Sequence, residues 1–154
     1  MRYFFFGTLR DADILAAVLG RTIAPGLGAR LEGYRLAPVL GEQYPTLVAA
    51  SAEQVEGTIA EGLDTSDAAK LAFFEGDEYF ASPHTVLTSA DARLSALVFI
   101  ARAPLAIGTE NWDFSTWLLD HKADFLAHTR RWMAHYPTGA PAEAERDWSR
   151  AVAT

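Results

Sequence analysis

Two short segments carry groups that could do chemistry, and the first is Phe6-Gly7-Thr8-Leu9-Arg10. Gly7 lets the backbone turn sharply or approach a ligand closely. The amides of residues 8–10 lie just ahead of a helix predicted to start near Asp11, and unpaired N–H groups at a helix start bind carboxylates or phosphates. The alternative is a plain strand-to-helix connection in which Thr8 only caps the helix, and the pattern alone favours that alternative.

The second segment, Ala72–Tyr79, contains Glu75 directly after two phenylalanines, at a predicted helix end and before Gly76. A carboxylate at a helix C-terminus opposes the helix dipole, and one in apolar surroundings loses hydration; both effects raise its pKa. A raised pKa suits a general acid/base. The alternative is a surface glutamate at a frayed helix end, which the pattern alone favours. The neighbouring Asp77 and Glu78 are interpreted as solvated acids of a turn.

Histidine and cysteine patterns indicate no metal or cofactor. His121, His128 and His135 recur every seven residues, which places their rings about 10 Å apart along a helix, too far for one ion. Half-buried histidines at a helix edge are the favoured interpretation, and His84 stands alone. The chain has no cysteine, so disulfides, thiolate nucleophiles and thiolate metal sites are excluded.

Composition restricts the class of protein. The 154 residues are 50% hydrophobic and carry a formal net charge of −7, which predicts one folded domain over residues 1–154 and disfavours nucleic acid as a partner. No apolar run is long enough for a signal peptide or a membrane span. We therefore expect a soluble cytoplasmic protein with no membrane partner.

The elements that must position the two segments alternate between strands and helices. Gly20 and Gly76 are predicted helix stops, and glycines within Val55–Leu63 predict a bulge or sharp bend. The predicted strands are Tyr3–Phe6, Ala29–Pro38, Thr46–Ala50, Val55–Leu63, Tyr79–Thr88 and Leu94–Ala101, and the predicted helices are Asp11–Leu19, Thr65–Gly76 and Phe114–His135, the last ended by Pro137 and Gly139. Short, bent strands with few helices predict an α+β domain built on a small barrel.

Four segments, in this order and spacing, resemble the gamma-glutamylcyclotransferase-like family, which includes gamma-glutamylamine cyclotransferase-type and plant avirulence-induced-gene-like proteins. They are the FGTLR turn, Tyr44–Val48, Val55–Gly57 and Phe74–Tyr79. The resemblance covers a core of about residues 1–101. The aromatic segment of about 112–136, with the tail after it, resembles the C-terminal extension of bacterial members.

The resemblance implies a small mixed β-barrel flanked by short helices, with a long C-terminal helix and a cavity at the barrel mouth. It implies that Gly7, Thr8 and Leu9 hold the α-carboxylate end of a substrate and that Glu75 is the catalytic acid/base. The substrate-binding residues that it implies are Phe6, Gly7, Thr8, Leu9, Tyr44, Pro45 and Tyr79. Phe6 stands where the family usually has tyrosine, and Ala81 where it often has arginine.

The activity implied is cyclisation of the gamma-glutamyl group of a small amine or peptide to 5-oxoproline, as in glutathione metabolism, without metal or cofactor. The alternative is a non-catalytic module that binds a small acidic metabolite in the same cavity. A third interpretation keeps the enzyme and changes the amide, and a fourth assigns the aromatic helix to protein interaction. The chain is expected to be a monomer or homodimer, because Trp112, Trp117 and Trp132 could cover either the core or an interface.

Overall fold

The computed structural model describes residues 1–136, so the predicted helix stop at Pro137 and Gly139 and the tail after it lie outside the described residues. In chain order the elements are β1 (Tyr3–Phe5), a 3-10 turn (Thr8–Arg10), α1 (Ala12–Leu19), β2 (Leu27–Pro38), β3 (Pro45–Ala60), α2 (Thr65–Glu75), β4 (Tyr79–Thr88), β5 (Arg93–Ala101), α3 (Phe114–Asp120) and α4 (Lys122–Met133).

The five strands form a closed barrel in the order β1-β3-β2-β4-β5. Four of the contacts are antiparallel, and a short parallel contact at Tyr3 and Leu97 joins β5 to β1. The predicted small mixed barrel is therefore confirmed. Within residues 1–136, none of the helices is both long and apolar enough to cross a membrane.

Strand β1 is buried on both faces because it separates two apolar clusters. Successive side chains of a strand point to opposite faces, so Phe4 packs in the barrel interior while Tyr3 and Phe5 pack against the helices. Gly57 lies beside this strand, where a Cβ atom would stand 2.4 Å from the Phe5 carbonyl oxygen. This glycine therefore serves close approach of the strands. Of the predicted bulge or sharp bend in Val55–Leu63, the bulge is wrong because residues 55–60 pair regularly, whereas Gly62 has a φ of +75° just after β3 ends.

The irregularity in the pairing lies instead between Glu32 and Tyr34 of β2, where the extra residues belong to a part of β3 that was expected to be a break. Glu32 pairs with Gln54 and Tyr34 with Ala49, so residues 50–53 of β3 are opposed by Gly33 alone. Gly33 has a φ of +88°, a conformation that glycine adopts readily. The predicted strands Thr46–Ala50 and Val55–Leu63 are thus one strand, because the polar residues between them stay extended on the solvent side.

The predicted helix Phe114–His135 is two helices, since the chain leaves helical geometry at His121 (φ −129°, ψ −16°). Asp113 caps the first helix by accepting from the Ser115 amide. In the second, Lys122 forms ion pairs with Asp11 at 2.9 Å and Asp13 at 2.8 Å. The break thus lets α4 attach to the start of α1, whose first amides Asp11 also caps.

Candidate active site

A cavity of about 260 Å³ opens where β1 ends. The 3-10 turn, the end of α2, the β2–β3 connection and α4 surround it. Its lining residues are Phe4, Phe5, Phe6, Gly7, Thr8, Leu9, Glu42, Tyr44, Pro45, Phe74, Glu75, Glu78, Tyr79, Phe99, Phe125 and Trp132. All eight residues predicted for the site are in this set, whereas Ala81 is an exposed residue of β4 outside it.

The turn after β1 lines the cavity and carries two backbone donors. Within the described chain, the amides of Thr8 and Leu9 have no hydrogen-bond partner, as the first amides of a helical turn do not. The Arg10 amide bonds to the Gly7 carbonyl oxygen at 3.1 Å, so the expectation of a third free amide is wrong. Gly7 packs closely, because a Cβ atom there would lie 3.0 Å from Cγ of Pro45 and the proline ring would have to shift.

Glu75 is the last residue of α2, and Gly76 follows as the cap, as predicted. The side chain keeps some accessible surface because it lines the cavity, but protein atoms surround its carboxyl group. This burial raises the pKa of Glu75 to about 8. The carboxyl group is therefore mostly protonated at neutral pH and can both donate and accept a proton near physiological pH.

Helix α4 supplies the wall of the cavity on the Glu75 side. The Trp132 indole Nε1–H donates to the Phe73 carbonyl oxygen at 3.0 Å, two residues before Glu75. The Phe125 ring meets the Phe74 ring edge-on with centroids 6.4 Å apart. Phe125 and Trp132 are only 1% and 7% exposed, so they exclude water from the end of α2.

Two tyrosines bring hydroxyl groups to the same cavity. Burial, together with nearby carboxylates, raises the pKa of Tyr44 and of Tyr79 above the ordinary tyrosine value, so both stay protonated donors. Tyr79 is 8% exposed, and within residues 1–136 its hydroxyl has no partner that meets hydrogen-bond geometry, although the Thr46 hydroxyl lies close by. A buried hydroxyl without a partner on a cavity wall is suited to binding a polar ligand.

Sequence reasoning missed several lining residues. Glu78 was interpreted as a solvated turn acid, and Glu42 was not singled out at all. Phe125 and Trp132 lie seven residues apart within the predicted helix Phe114–His135, and this spacing places two large apolar side chains on one helix face, which is a signal for their burial. Nothing in that spacing indicated that the face would meet Glu75.

Histidines do not contribute to the site. No group of three or more His, Cys, Asp or Glu side chains able to hold a metal ion occurs among residues 1–136. His128 on α4 and His135 just after it are half-buried, as interpreted, whereas His121 is exposed at the break between α3 and α4, so that interpretation is wrong for His121. His84 contacts the Ser82 carbonyl oxygen on β4. None of the four histidines is among the residues that line the cavity.

A family model described as "Gamma-glutamyl cyclotransferase, AIG2-like" matches residues 3–117. The chain belongs to this family. The match contains the turn, Glu75 and both tyrosines, but it ends before Phe125 and Trp132. In this gamma-glutamyl cyclotransferase-like protein, one wall of the cavity thus comes from outside the matched region.

Similar proteins agree with the family. AIG2-like protein C of Arabidopsis thaliana is 25% identical over 134 residues, which cover 84% of this chain and 76% of the relative. AIG2-like protein D of the same plant is 28% identical over 132 residues, 82% of this chain and 85% of the relative.

Solved structures show the same fold. A solution structure of an Arabidopsis thaliana protein superposes with a TM-score of 0.63 at 22% identity, covering 90% of this chain and 94% of the other. A structure named gamma-glutamyl cyclotransferase superposes with a TM-score of 0.58 at 12% identity, covering 95% of this chain and 85% of the other. The gamma-glutamyl cyclotransferase-like fold of this chain is thus established.

Proposed function

We propose that this protein cyclises the gamma-glutamyl group of a small gamma-glutamyl amide to 5-oxoproline and releases the amine, with Glu75 as general acid/base. The observation that carries the proposal is the placement of one proton-carrying carboxyl group and two unpaired backbone donors on the same cavity. The family to which the chain belongs supports an activity of this kind.

Substrate binding starts at the 3-10 turn. The α-carboxylate of the substrate accepts hydrogen bonds from the Thr8 and Leu9 amides, a charge-assisted arrangement. Anchoring that end bends the short side chain, so that the α-amine approaches the gamma-carbonyl carbon within the same molecule. Such enforced proximity supplies a large part of the rate enhancement of an intramolecular reaction.

Glu75 then transfers the protons of the reaction. Its carboxylate form removes a proton from the α-ammonium group, and the neutral amine attacks the gamma-carbonyl carbon to form a C–N bond and a tetrahedral oxyanion. The Tyr79 hydroxyl donates a hydrogen bond to this oxygen. Glu75 next protonates the leaving nitrogen, and the former amide C–N bond breaks. The ring nitrogen then loses its extra proton to the Glu75 carboxylate, which leaves 5-oxoproline and the free amine.

The two departures from the family pattern do not remove any group that this sequence of steps uses. Phe6 contributes a ring to the cavity wall and packs against the barrel interior, while donors come from the backbone and the tyrosines. Ala81 is exposed and lies outside the cavity. Substrate contacts therefore depend on the turn, on Glu75 and on the two hydroxyl groups.

The test is incubation of the purified full chain with a panel of gamma-glutamyl amides, followed by chromatographic detection of 5-oxoproline. Glu75→Gln should lose at least about a thousandfold in kcat, because the glutamine amide cannot accept and return the transferred proton. Asp77→Asn, an exposed acid two residues away, is the matched control and should keep wild-type activity. Full activity of Glu75→Gln would show that the base is misassigned. A thermal shift with 5-oxoproline but no turnover of any amide would show a binding module instead.

A further inference from the structure

Arg10 ends the FGTLR segment, and the steps proposed above give its side chain no task. It is not among the residues that line the cavity, so we expect it to make no direct contact with a substrate. Its guanidinium carbon Cζ lies 4.4 Å from the centroid of the Phe114 ring, within the range of a cation–π contact. Among residues 1–136, its buried Nε–H has no hydrogen-bond partner.

Burial makes this contact stronger than one on an open surface. Loss of hydration lowers the pKa of the half-buried Arg10, and the negative charge of Glu56 acts in the opposite direction. The guanidinium group still carries its charge near neutral pH. A partly desolvated cation gains more from an aromatic face than a hydrated one does, so the ring holds the arginine side chain in one position.

Phe114 is a fixed support because it belongs to an aromatic cluster that reaches α2. Its ring stacks on Trp117 with centroids 5.8 Å apart, and Trp117 is only 1% exposed. Trp117 meets Phe125 edge-on at 5.5 Å. Phe125 in turn packs on Phe74, the residue before the proposed acid/base. The arginine contact thus connects the 3-10 turn to the side chains that pack beside the acid/base.

Within the proposed function, we infer that Arg10 is a positioning residue, whose contact with Phe114 holds the 3-10 turn in the geometry that binds the α-carboxylate. The backbone supports this role, because the Arg10 amide closes the turn on the Gly7 carbonyl oxygen. The two donor amides, those of Thr8 and Leu9, lie between these ends. A shift of the arginine therefore moves both donors and misaligns the anchored end of the substrate with the acid/base.

The first variant is Arg10→Met, which keeps an unbranched side chain and removes the planar cation. The full chain is assayed with the gamma-glutamyl amide of the panel that is turned over fastest, and kcat/KM should fall about tenfold with an unchanged circular dichroism spectrum. Arg93→Met removes an exposed arginine of β5 outside the cavity and should keep the wild-type kcat/KM. A loss of less than about twofold in Arg10→Met overturns the inference.

A substrate without the α-carboxylate separates positioning from a general structural effect. The matching 4-aminobutanoyl amide cyclises to 2-pyrrolidinone by the same steps but has no carboxylate for the turn to bind. Arg10→Met should therefore lower kcat/KM for this amide by less than about twofold, from a wild-type value that is already small. Equal losses for the two amides overturn the inference, because a general disturbance of the cavity affects both.

Phe114→Leu breaks the same contact from the other side, and it serves as the test if Arg10→Met does not fold. It should show the same selective loss for the amide that carries the α-carboxylate. The double variant should lose little more than either single variant, because both substitutions remove one contact. Losses that multiply show that the two residues act independently, and they overturn the contact as the cause.

Failure of the proposed function can be separated from failure of this inference. If no amide releases 5-oxoproline, cyclisation is not the activity, and calorimetric Kd values for 5-oxoproline, which carries the same carboxylate, test the inference instead. The same titration decides if the 4-aminobutanoyl amide is too slow to measure. Arg10→Met should raise this Kd about fivefold; an unchanged Kd, or no binding to the wild type, overturns the inference. If cyclisation occurs and the two amides lose equally, the proposed function stands and the inference is wrong.

Discussion

Replacing Glu75 by glutamine should make the free energy of unfolding depend less on pH. Burial raises the pKa of Glu75 to about 8 in the folded protein, against 4.5 for an ordinary glutamate. Because the folded-state pKa is the higher one, the folded protein binds the proton more tightly. The resulting stability is complete below the unfolded-state pKa and is lost as pH rises through the folded-state value.

The size of the loss follows from the two pKa values. Relative to a neutral side chain of the same shape, Glu75 lowers the free energy of unfolding by about 1 kcal/mol at pH 5, about 3 kcal/mol at pH 7 and about 5 kcal/mol at pH 9. Glu75→Gln should therefore gain about 4 kcal/mol over wild type between pH 5 and pH 9. The other titrating groups are shared by the two proteins and cancel in the difference.

Urea denaturation followed by tryptophan fluorescence at pH 5, 7 and 9 measures this difference directly. Asp77→Asn is the control, and as an exposed substitution it should stay within about 0.5 kcal/mol of wild type at each pH. If the stability of Glu75→Gln runs parallel to that of wild type at all three values, the carboxyl group is not desolvated. Glu75 then lacks the raised pKa that its role as an acid/base requires.

Three further predictions concern the cavity. Initial rates of 5-oxoproline release should rise with pH up to about 8 and then level off, because the proton-accepting carboxylate of Glu75 forms only as pH passes its pKa; a flat profile from pH 6 to 9 contradicts this. Gly7→Ala should lower kcat/KM at least about tenfold with an unchanged circular dichroism spectrum, since its Cβ would stand 3.0 Å from the Pro45 ring and displace the turn. The control is Gly28→Ala, whose Cβ would stand in open space, and it should keep wild-type rates. Trp132→Phe loses the hydrogen bond to the Phe73 carbonyl oxygen, so the thermal midpoint of unfolding should fall by several degrees. The pH midpoint of activity should also move down, because water then reaches the Glu75 carboxyl group. An unmoved pH midpoint contradicts the proposed role of α4.

The parts of the fold predicted from the sequence are those set by local interactions. Asp11 and Gly20 bound α1 because a side-chain acceptor and a left-handed residue act within a single turn. The Gly76 stop that leaves Glu75 at the end of α2 follows from the same physics. The eight site residues could be named because the family resemblance placed them in one cavity. The local sequence alone indicated only a turn able to bind an anion and a glutamate in apolar surroundings.

The parts that escaped prediction depend on distant contacts. β3 continues through residues 50–53 because it pairs with β2 on both sides of Gly33, whereas the sequence of β3 alone predicts two separate strands. The break at His121 lets Lys122 reach Asp11 and Asp13, more than a hundred positions earlier. Glu42 joins the cavity only through the path of the β2–β3 connection. Periodicity within a window carries no information on such pairings.

Helix α4 carries no reacting group of the proposed chemistry, but it packs against the end of α2 that carries Glu75. The turn and Glu75 supply the donors and the proton carrier, and both lie within residues 3–117. A glutamate at a helix end would hydrate and titrate near its ordinary value if that end were open to water. Phe125 and Trp132 pack on it, so residues beyond the matched region contribute to the burial that raises the pKa of Glu75. Substitutions on α4 should therefore change the pH at which the protein works before they change what it can bind at the turn.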